Sequence, residues 1–321
     1  MLDSLSISNF RLFKKLLIPR LGRVNLFSGK NGTGKSSILE AVMIYASNAN
    51  FKILDSLVKA RNEDVKGLNS VYVHNYFRFR HLFNGRNPAA IEENPVLICV
   101  DENSRIVPRS FVIQDTDWTI KIGNKDGSSV TVPHKYVSIN KNHPDSAAEL
   151  WDEINLLPIE DDVIEALQII HPGVKRIGFV DFTENNRTER VPVVVLKDMA
   201  ERIPLKSLGE GVVHLLHIVL ALVNAKQGFF LLDEAENGLH WSVQEKLWQI
   251  IFQLANKLDI QVLATTHSKD CIAAFQAAWA ERAEEEGGFY RLDPDPEWGA
   301  KCTPYSLRTL SNALKNHVEM R

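Results

Sequence analysis

Cysteine is scarce in this sequence, and no apolar stretch is long enough to cross a bilayer. The 321 residues include only Cys99, Cys271 and Cys302, which lie far apart. Their number and spacing fit neither a disulfide framework nor a zinc site, so we expect plain thiols in a reducing compartment. The apolar runs fall short of the roughly 20 residues of a transmembrane helix, and the first residues have no secretory pattern. These absences predict a soluble, cytoplasmic protein with no membrane partner.

A strong excess of one charge is also missing. The chain has 37 Lys and Arg against 40 Asp and Glu, which gives a formal net charge of −3. Contact with nucleic acid would therefore need a local basic patch. One candidate interleaves aromatic and basic residues from Tyr76 to His81, as nucleic-acid surfaces do. Further cations that could extend it are Lys52, Lys59, Arg61, Lys66 and Arg86. The alternative is an ordinary amphipathic strand with a solvated basic face.

The pattern that organises the chain is a phosphate-binding loop between Val24 and Glu40. An apolar run leads through GKNGTGKS into an amphipathic helical pattern. This fits G-x-x-x-x-G-K-[ST] at every fixed position, in the strand, loop and helix context that the motif requires. Glycines let backbone N–H groups turn toward one point, and the helix N-terminus adds its positive dipole. We expect Lys35 to reach the β- and γ-phosphates and the Ser36 hydroxyl to ligate Mg²⁺.

A second apolar strand, Phe229 to Leu232, ends in the adjacent acids Asp233 and Glu234. Desolvating two like charges is costly unless a cation lies there, and Mg²⁺ supplies that cation. We expect Asp233 to hold the metal and Glu234 to act as general base on the attacking water. His267 follows the next buried strand, on the sheet edge where ligands bind, and can donate to the γ-phosphate. The alternatives are two solvated surface acids and a structural histidine.

Two glycines, Gly209 and Gly211, open a helix shortly before the acidic strand. Glycines at a helix start form a nest of N–H groups that faces anions. A pair of glycines at a helix start is a weak signal by itself. The short sequence separation between this pair and Asp233 is what makes it informative.

The element pattern predicts an α/β core made from both ends of the chain. Strands are predicted at residues 2–8, 16–19 and 24–28, and beyond Pro204 helices alternate with buried strands, as in a parallel sheet. Helices are predicted at residues 54–65 and from Ser268 to about Glu286. Short runs between residues 71 and 132, the first of them at 71–79, predict antiparallel hairpins. Residues 133–145 are predicted to be a connection, and Asp293 to Pro296 a break before the last helix. We expect one domain over residues 1–321, with its core from 1–50 and 200–321 and an inserted subdomain at about 51–199.

Together these motifs resemble the ABC-type ATPases of the SMC, RecF and OLD branch, and above all the compact AAA-like ATP-binding proteins of bacterial defence operons, of the Septu type. The resemblance rests on ISNFRLFKKL, VNLFSGKNGTGKSSILEA, SLGEGVVHLLHIVLAL, FFLLDEAENGLH, LATTHS and YSLRTLSNALKNHVEMR. It covers the first 46 residues and roughly residues 204–317, and the middle poorly. The implied fold is a P-loop NTPase of α/β class, an ABC-type ATPase head with an inserted segment.

The resemblance implies a head that dimerises head to tail, with ATP bound by the P-loop of one subunit and covered by the signature motif of the other. It places Arg11 near the nucleotide, residues 237–240 in a D-loop at the dimer seam, and Gly209 and Gly211 in the signature motif. The residues that it assigns to phosphate binding are Asn31, Gly32, Thr33, Gly34, Lys35, Ser36 and Ser37.

The sequence departs from the family in three places. Gly209 stands where the signature serine would contact the partner's γ-phosphate, so only backbone groups make that contact unless Ser207 substitutes. The metal-sensing glutamine has no clear counterpart; Gln114 is a candidate, and an exposed strand side chain is the alternative. The residues after His267 are too few and too irregular for the nuclease domain of OLD relatives. We therefore expect no nucleic-acid cleavage by this chain, and a separate effector, a nuclease or a toxin.

The resulting expectation is an Mg²⁺-dependent ATP hydrolase whose nucleotide state switches partner or DNA binding in antiviral defence. Two other functions stay open. One is a RecF-like repair ATPase that clamps duplex DNA through a basic face around Arg78 and Arg80. The other is a scaffold that binds ATP without hydrolysing it, which the departure at Gly209 would suit.

Overall fold

The computed structural model describes residues 1–63, 79–86, 96–102, 105–113, 120–123, 131–138, 146–184, 187–199 and 201–321. Its strands are β1 (Ser4–Phe10), β2 (Phe13–Ile18), β3 (Val24–Gly29), β4 (Val96–Glu102), β5 (Arg105–Ile113), β6 (Ile120–Gly123), β7 (His134–Val137), β8 (Val174–Glu184), β9 (Arg187–Leu196), β10 (Arg202–Pro204), β11 (Phe229–Leu232), β12 (Gln261–Thr265), β13 (Gly287–Asp295) and β14 (Gly299–Tyr305). Its helices are α1 (Lys35–Ala46), α2 (Phe51–Ala60), α3 (Ala147–Asp152), α4 (Ile159–Ile170), α5 (Glu210–Val223), α6 (Trp241–Lys257), α7 (Lys269–Ala280) and α8 (Leu307–Lys315).

The central sheet has six strands in the order β14-β13-β3-β12-β11-β7. All neighbours in it run parallel except β13 and β14, which form an antiparallel hairpin at one edge. Every residue of β3, β11 and β12 is buried. Burial along the whole strand is expected of parallel strands that are covered on both faces, so the buried strands predicted beyond Pro204 are confirmed. Because these three strands are adjacent, the P-loop, the acidic pair and His267 all follow carboxyl ends on one edge of the sheet.

Two antiparallel sheets accompany the central one. The first has the order β2-β1-β4-β5-β6 and the second the order β10-β9-β8. β1 pairs with β2 on one side and with β4 on the other. The stretch 51–199 therefore supplies β4, β5 and β6 to the sheet that contains β1 and β2. It also supplies β7 to the central sheet. The division into a core and an inserted subdomain stays a prediction.

Two apolar clusters lie on opposite faces of the central sheet. Phe230 and Leu232 belong to the cluster formed with α4, α5, α6 and α7. Phe229 and Leu231 belong to the cluster formed with β1, β2, α1 and α2. Successive strand residues point to opposite faces, so β11 contributes to both cores. In the described ranges, no helix combines the length and apolar character that a bilayer crossing needs.

Two predictions about connections were wrong. Residues 134–137, predicted to lie in a connection, form β7, which pairs with β11 along its whole length. The mixed sequence HKYV has no apolar run, and the strand is held by backbone pairing at the edge of the sheet. The predicted break at Asp293 to Pro296 begins inside β13. Only Gly287 to Leu292 pair with β3, so Pro294 lies in the part of the hairpin that extends beyond it, where a missing N–H donor is tolerated.

The boundaries of several other elements also differ. The second helix is Phe51–Ala60 rather than 54–65, and the helix expected to reach residue 286 ends at Ala280. The strand expected at 71–79 lies outside the described residues up to 78. At Phe79, which is 2% exposed, the chain enters a helical turn instead.

Gly228 lies directly before β11 and is packed against Pro133, which lies directly before β7. This close approach leaves no room for a side chain at Gly228. A Cβ on Gly228 would be 1.9 Å from the carbonyl oxygen of Pro133, which accepts a bond from Phe229 N at 2.9 Å. We expect Gly228→Ala to lower the free energy of unfolding by about 1–3 kcal/mol through overpacking. Urea unfolding at unchanged m value measures it.

Gly178→Ala in β8 is the matched control, because a Cβ there meets no atom within 4 Å. It should leave stability unchanged or raise it by about 0.5 kcal/mol. Equal midpoints for the two variants would contradict the packing of β7 against β11.

Candidate active site

A cavity of about 610 Å³ opens at the carboxyl ends of β3 and β11. Most of the residues predicted for the site line it. These residues are Arg11, Asn31, Gly32, Gly34, Lys35, Ser36, Ser37, Asp233 and Glu234. The two halves of the nucleotide site, which are about two hundred residues apart in sequence, thus face one volume.

The shape of the P-loop depends on its glycines. Gly34, the residue before α1, has a φ of 92°, and a Cβ there would lie 2.5 Å from the Phe13 ring. Gly32 has a φ of 79°, and a Cβ on it would meet no atom within 4 Å. The loop backbone is therefore packed on one side and open on the cavity side, where a phosphate can approach.

Lys35 is buried at the floor of the cavity. Its Nζ donates to the carbonyl oxygens of Gly29 at 2.7 Å and Lys30 at 3.0 Å. Burial lowers the pKa of Lys35, and the nearby carboxylates of Asp233 and Glu234 oppose that shift. The ammonium group is held over the loop by carbonyls that phosphate oxygens can replace as acceptors.

Asp233 is the hub of the site. Its Oδ1 accepts from Ser36 Oγ at 3.0 Å and from Thr265 Oγ1 at 2.5 Å. Its Oδ2 accepts from the Tyr136 hydroxyl at 3.2 Å. Burial and the charges of Asp233 and Glu40 raise the pKa of Tyr136, so its hydroxyl stays a donor. Ser36 and Asp233, the two predicted metal ligands, are therefore adjacent.

This donor set fits Mg²⁺. Among the described residues, no group of three or more His, Cys, Asp or Glu side chains is spaced to hold a metal. Mg²⁺ does not need one, because it keeps several waters and is bound through one or two carboxylates together with substrate phosphates. The carboxylate of Asp233 and the hydroxyl of Ser36 supply the protein's share of such a site.

Glu234 lies at the cavity wall with a constrained backbone. Its φ is 53°, and its backbone N donates to Thr265 Oγ1 at 2.8 Å. The amide of Asn237 donates to its Oε2. The side chain is 45% exposed. A carboxylate fixed in this way and open to the cavity can accept a proton from water. The single hydroxyl of Thr265 thus contacts both acidic residues.

His267 lies beside Glu234 and Glu236. Its Nδ1 is 3.2 Å from Glu236 Oε1 and 3.8 Å from Glu234 Oε1, and its backbone N donates to Glu236 at 2.9 Å. It is not among the described residues that line the cavity. The structure places it beside the general-base candidate at this edge of the sheet, and its role at the γ-phosphate stays a prediction.

Besides His267, three predicted site residues lie outside the described lining of the cavity. Thr33 is buried, and its hydroxyl donates to Lys30 O at 2.9 Å rather than facing the cavity. Gly209, with a φ of 113°, and Gly211 open α5 outside the described lining of the cavity. A Cβ on Gly211 would lie 3.5 Å from Gly238 O, so the signature and D-loop segments are neighbours.

A buried ion cluster beside the cavity was missed in the sequence. Glu40 on α1 accepts from Arg11 Nε at 3.1 Å and Arg61 Nε at 2.8 Å, and Arg11 also pairs with Glu63 at 2.5 Å. The Arg11 and Glu40 side chains are 5% and 7% exposed. Burial alone would lower the pKa of Arg61, but Glu40 and Glu63 raise it. Arg61, considered for the basic patch, lies in the cavity wall instead.

Much of the predicted basic patch falls outside the described residues. Tyr76, Arg78 and Lys66 lie there, as does the glutamine candidate Gln114. Lys59 pairs with Asp55 at 2.8 Å. The nucleic-acid surface stays a prediction.

Comparison with known proteins identifies the family. The family model of the AAA ATPase domain matches residues 1–156 and 137–272. The chain belongs to the AAA ATPase domain family. It is 21% identical over 326 residues to an ATP/GTP phosphatase of Helicobacter pylori, covering 85% of this chain and 86% of that protein. Over 97 residues it is 32% identical to the DNA replication and repair protein RecF of Clostridioides difficile, covering 30% of this chain and 26% of RecF.

Solved structures define the fold of this AAA ATPase domain. An SMC head bound to the C-winged helix domain of ScpA superposes with a TM-score of 0.58 at 12% identity, covering 97% of this chain and 99% of that one. The SMC head domain of Thermotoga maritima gives 0.52 at 15% identity, covering 95% and 99%. The predicted α/β fold of a P-loop ATPase head is confirmed, and in fold the chain is similar to SMC heads.

The bridging role of Thr265 can be tested by Thr265→Val, which keeps the side-chain shape and removes the hydroxyl. We expect ATP turnover to fall about 10- to 100-fold, as when an orienting bond to a metal ligand is lost. The free energy of unfolding should fall by about 1–3 kcal/mol, because Glu234 N loses its partner.

Thr266→Val is the control, since its hydroxyl accepts from Ser268 N at 3.0 Å and is not bonded to either acid. Turnover close to that of the wild type is expected for it. A similar loss in both variants would show that Thr265 does not act through Asp233 and Glu234.

Proposed function

We propose that this protein is an Mg²⁺-dependent ATP hydrolase that dimerises around ATP and acts as the nucleotide-driven sensor or clamp of a bacterial antiphage defence complex. The observation that carries the enzymatic part is the convergence of Lys35, Ser36, Asp233 and Glu234 on one cavity. Each residue type matches one need of phosphoryl transfer to water: a cation, two metal ligands and a base.

The chemistry is an in-line attack of water on the γ-phosphate. Lys35 and the loop N–H groups bind the β- and γ-phosphates, and Glu234 orients the water and accepts its proton. His267 donates to the γ-phosphate oxygens once the site closes. Ser36 and Asp233 would hold Mg²⁺, which would supply charge neutralisation at the phosphate oxygens. Positioning and charge stabilisation lower the barrier, without a covalent intermediate on the protein.

The dimer is supported by where the remaining motif residues lie. Gly209 and Gly211 are outside the described lining of their own cavity, and Gly211 lies close to Gly238 of the predicted D-loop. Exposed N–H groups at the start of α5 can receive the γ-phosphate that a second copy holds. ATP then bridges two chains, and hydrolysis removes the bridge, so that nucleotide state switches the assembly.

The defence role and the separate effector, a nuclease or a toxin, rest on the resemblance to proteins of defence operons. An SMC head bound to a ScpA domain supports the idea that such a fold recruits a partner.

A second candidate function is a clamp on duplex DNA. The 32% identity to RecF over 97 residues favours it. This function requires hydrolysis that DNA stimulates, and it uses the cations predicted around Arg78 and Arg80.

The deciding experiment compares ATP turnover and mass in solution for the wild type and Glu234→Gln, with and without DNA. Loss of the base should lower turnover by about 10²- to 10⁴-fold, while ATP still binds and the variant accumulates as a dimer. Glu245→Gln, an exposed acid on α6, is the matched control and should behave like the wild type.

The other results separate the candidate functions. Turnover that DNA raises would favour the clamp. ATP binding without turnover in the wild type would contradict the hydrolase and favour an ATP-binding scaffold.

A further inference from the structure

The edge strand β7 is tied to the acidic end of β11 through its backbone. Leu232 lies opposite Val137 in the parallel pair, and Asp233 N donates to Val137 O at 2.8 Å. The first residue after β11 is therefore still held by β7. A side chain near the end of β7 that points to the same face as Asp233 can approach its carboxylate.

Tyr136 is that side chain. Its ring packs against the apolar cluster that includes residues of α1, on the side of the sheet that carries the P-loop helix. Its hydroxyl donates to Asp233 Oδ2 at 3.2 Å. Ser36 and Thr265 both donate to the other oxygen, Oδ1. Among the hydrogen bonds of the described residues, Tyr136 is thus the group that holds the second oxygen of this carboxylate.

Holding both oxygens matters because the terminal torsion of an aspartate is broad. With Oδ1 bonded alone, the carboxylate plane can turn about its Cβ–Cγ bond. A second bond at Oδ2 fixes the plane and so fixes the direction of the lone pairs that face Ser36 and the P-loop. Metal ligands are oriented by such outer bonds, and losing one costs about 10- to 100-fold in metal affinity or activity.

We propose that Tyr136 is a positioning residue for the metal at Asp233, and that it sets the affinity of the site for Mg²⁺ in the nucleotide complex. The inference rests on the proposed function, since it assumes that Asp233 holds the metal. Tyr136 acts through Asp233 and does not itself contact the nucleotide. Tyr136 lies on the strand beside the acidic pair. Its hydroxyl takes the place there of the amide of the metal-sensing glutamine, which has no clear counterpart in this sequence.

The test is Tyr136→Phe, which removes the hydroxyl and keeps the ring that packs against the core. Binding of a fluorescent, non-hydrolysable ATP analogue is measured by titration with Mg²⁺ and separately in EDTA, and Mn²⁺ binding to the same complex is followed by electron paramagnetic resonance. We expect the apparent metal affinity to weaken by about tenfold or more. Analogue affinity in EDTA should be unchanged, because phosphate binding by the P-loop does not involve Tyr136.

Tyr290→Phe is the matched control. Tyr290 is a buried tyrosine of β13 in the same sheet, and its hydroxyl donates to the carbonyl of Arg20 at 2.5 Å rather than to a carboxylate. Its ring stacks on Phe27 with centroids 4.9 Å apart, so the variant keeps comparable packing. This control should retain the metal affinity of the wild type, whatever it loses in urea stability.

Each result is decisive. Unchanged metal affinity in Tyr136→Phe, or an equal loss in both variants, would overturn the assignment and leave Tyr136 a structural residue. A wild type that binds the analogue equally well with and without Mg²⁺ would overturn the proposed metal site and the assignment together. A selective loss in Tyr136→Phe, at unchanged affinity in EDTA, establishes the positioning role.

Discussion

The orientation of one carboxylate at the end of a fully buried strand is the constraint on which this structure depends. Asp233 follows β11, whose four residues are all buried, and its two oxygens accept hydrogen bonds from three side-chain donors. Those donors come from three places: the helix after the P-loop, β12 and β7. The order of strands in the central sheet brings the three together, so the topology and the electrostatics of the site have one explanation.

The sequence predicted what is contiguous along the chain. The P-loop, the acidic pair and the buried strands were predictable, because a backbone nest and a continuous apolar run need neighbouring residues. β7 was not, because HKYV has neither alternation nor an apolar run and is defined by its pairing with β11. The ion pairs of Glu40 with Arg11 and Arg61 were not predicted either, because the spacing of residues in the sequence does not show which side chains meet across different elements.

The position of α5 places the two predicted nucleotide contacts on different faces of the molecule. One face is the cavity, with its cation and its acids. The other carries Gly209 and Gly211 at the start of α5, with Gly211 close to the Gly238 carbonyl and the His214 ring close to Gly238. A glycine at the signature serine position removes a hydroxyl but leaves a wider approach to the N–H groups of the helix start. In the proposed dimer, the departure from the signature motif would therefore change the kind of donor and leave its location unchanged.

The helix α1 is part of a closed path of covalent and hydrogen bonds through the site. Lys35 and Ser36 begin it at the phosphate loop, and the carbonyl of Ala46 at its far end accepts from Val132 N at 2.9 Å, just before β7. From β7 the Tyr136 hydroxyl returns to Asp233, which is bonded to Ser36. These bonds connect the P-loop, α1, β7 and Asp233 in one closed path. A displacement of the P-loop therefore changes the position of β7 as well as that of the acidic residue.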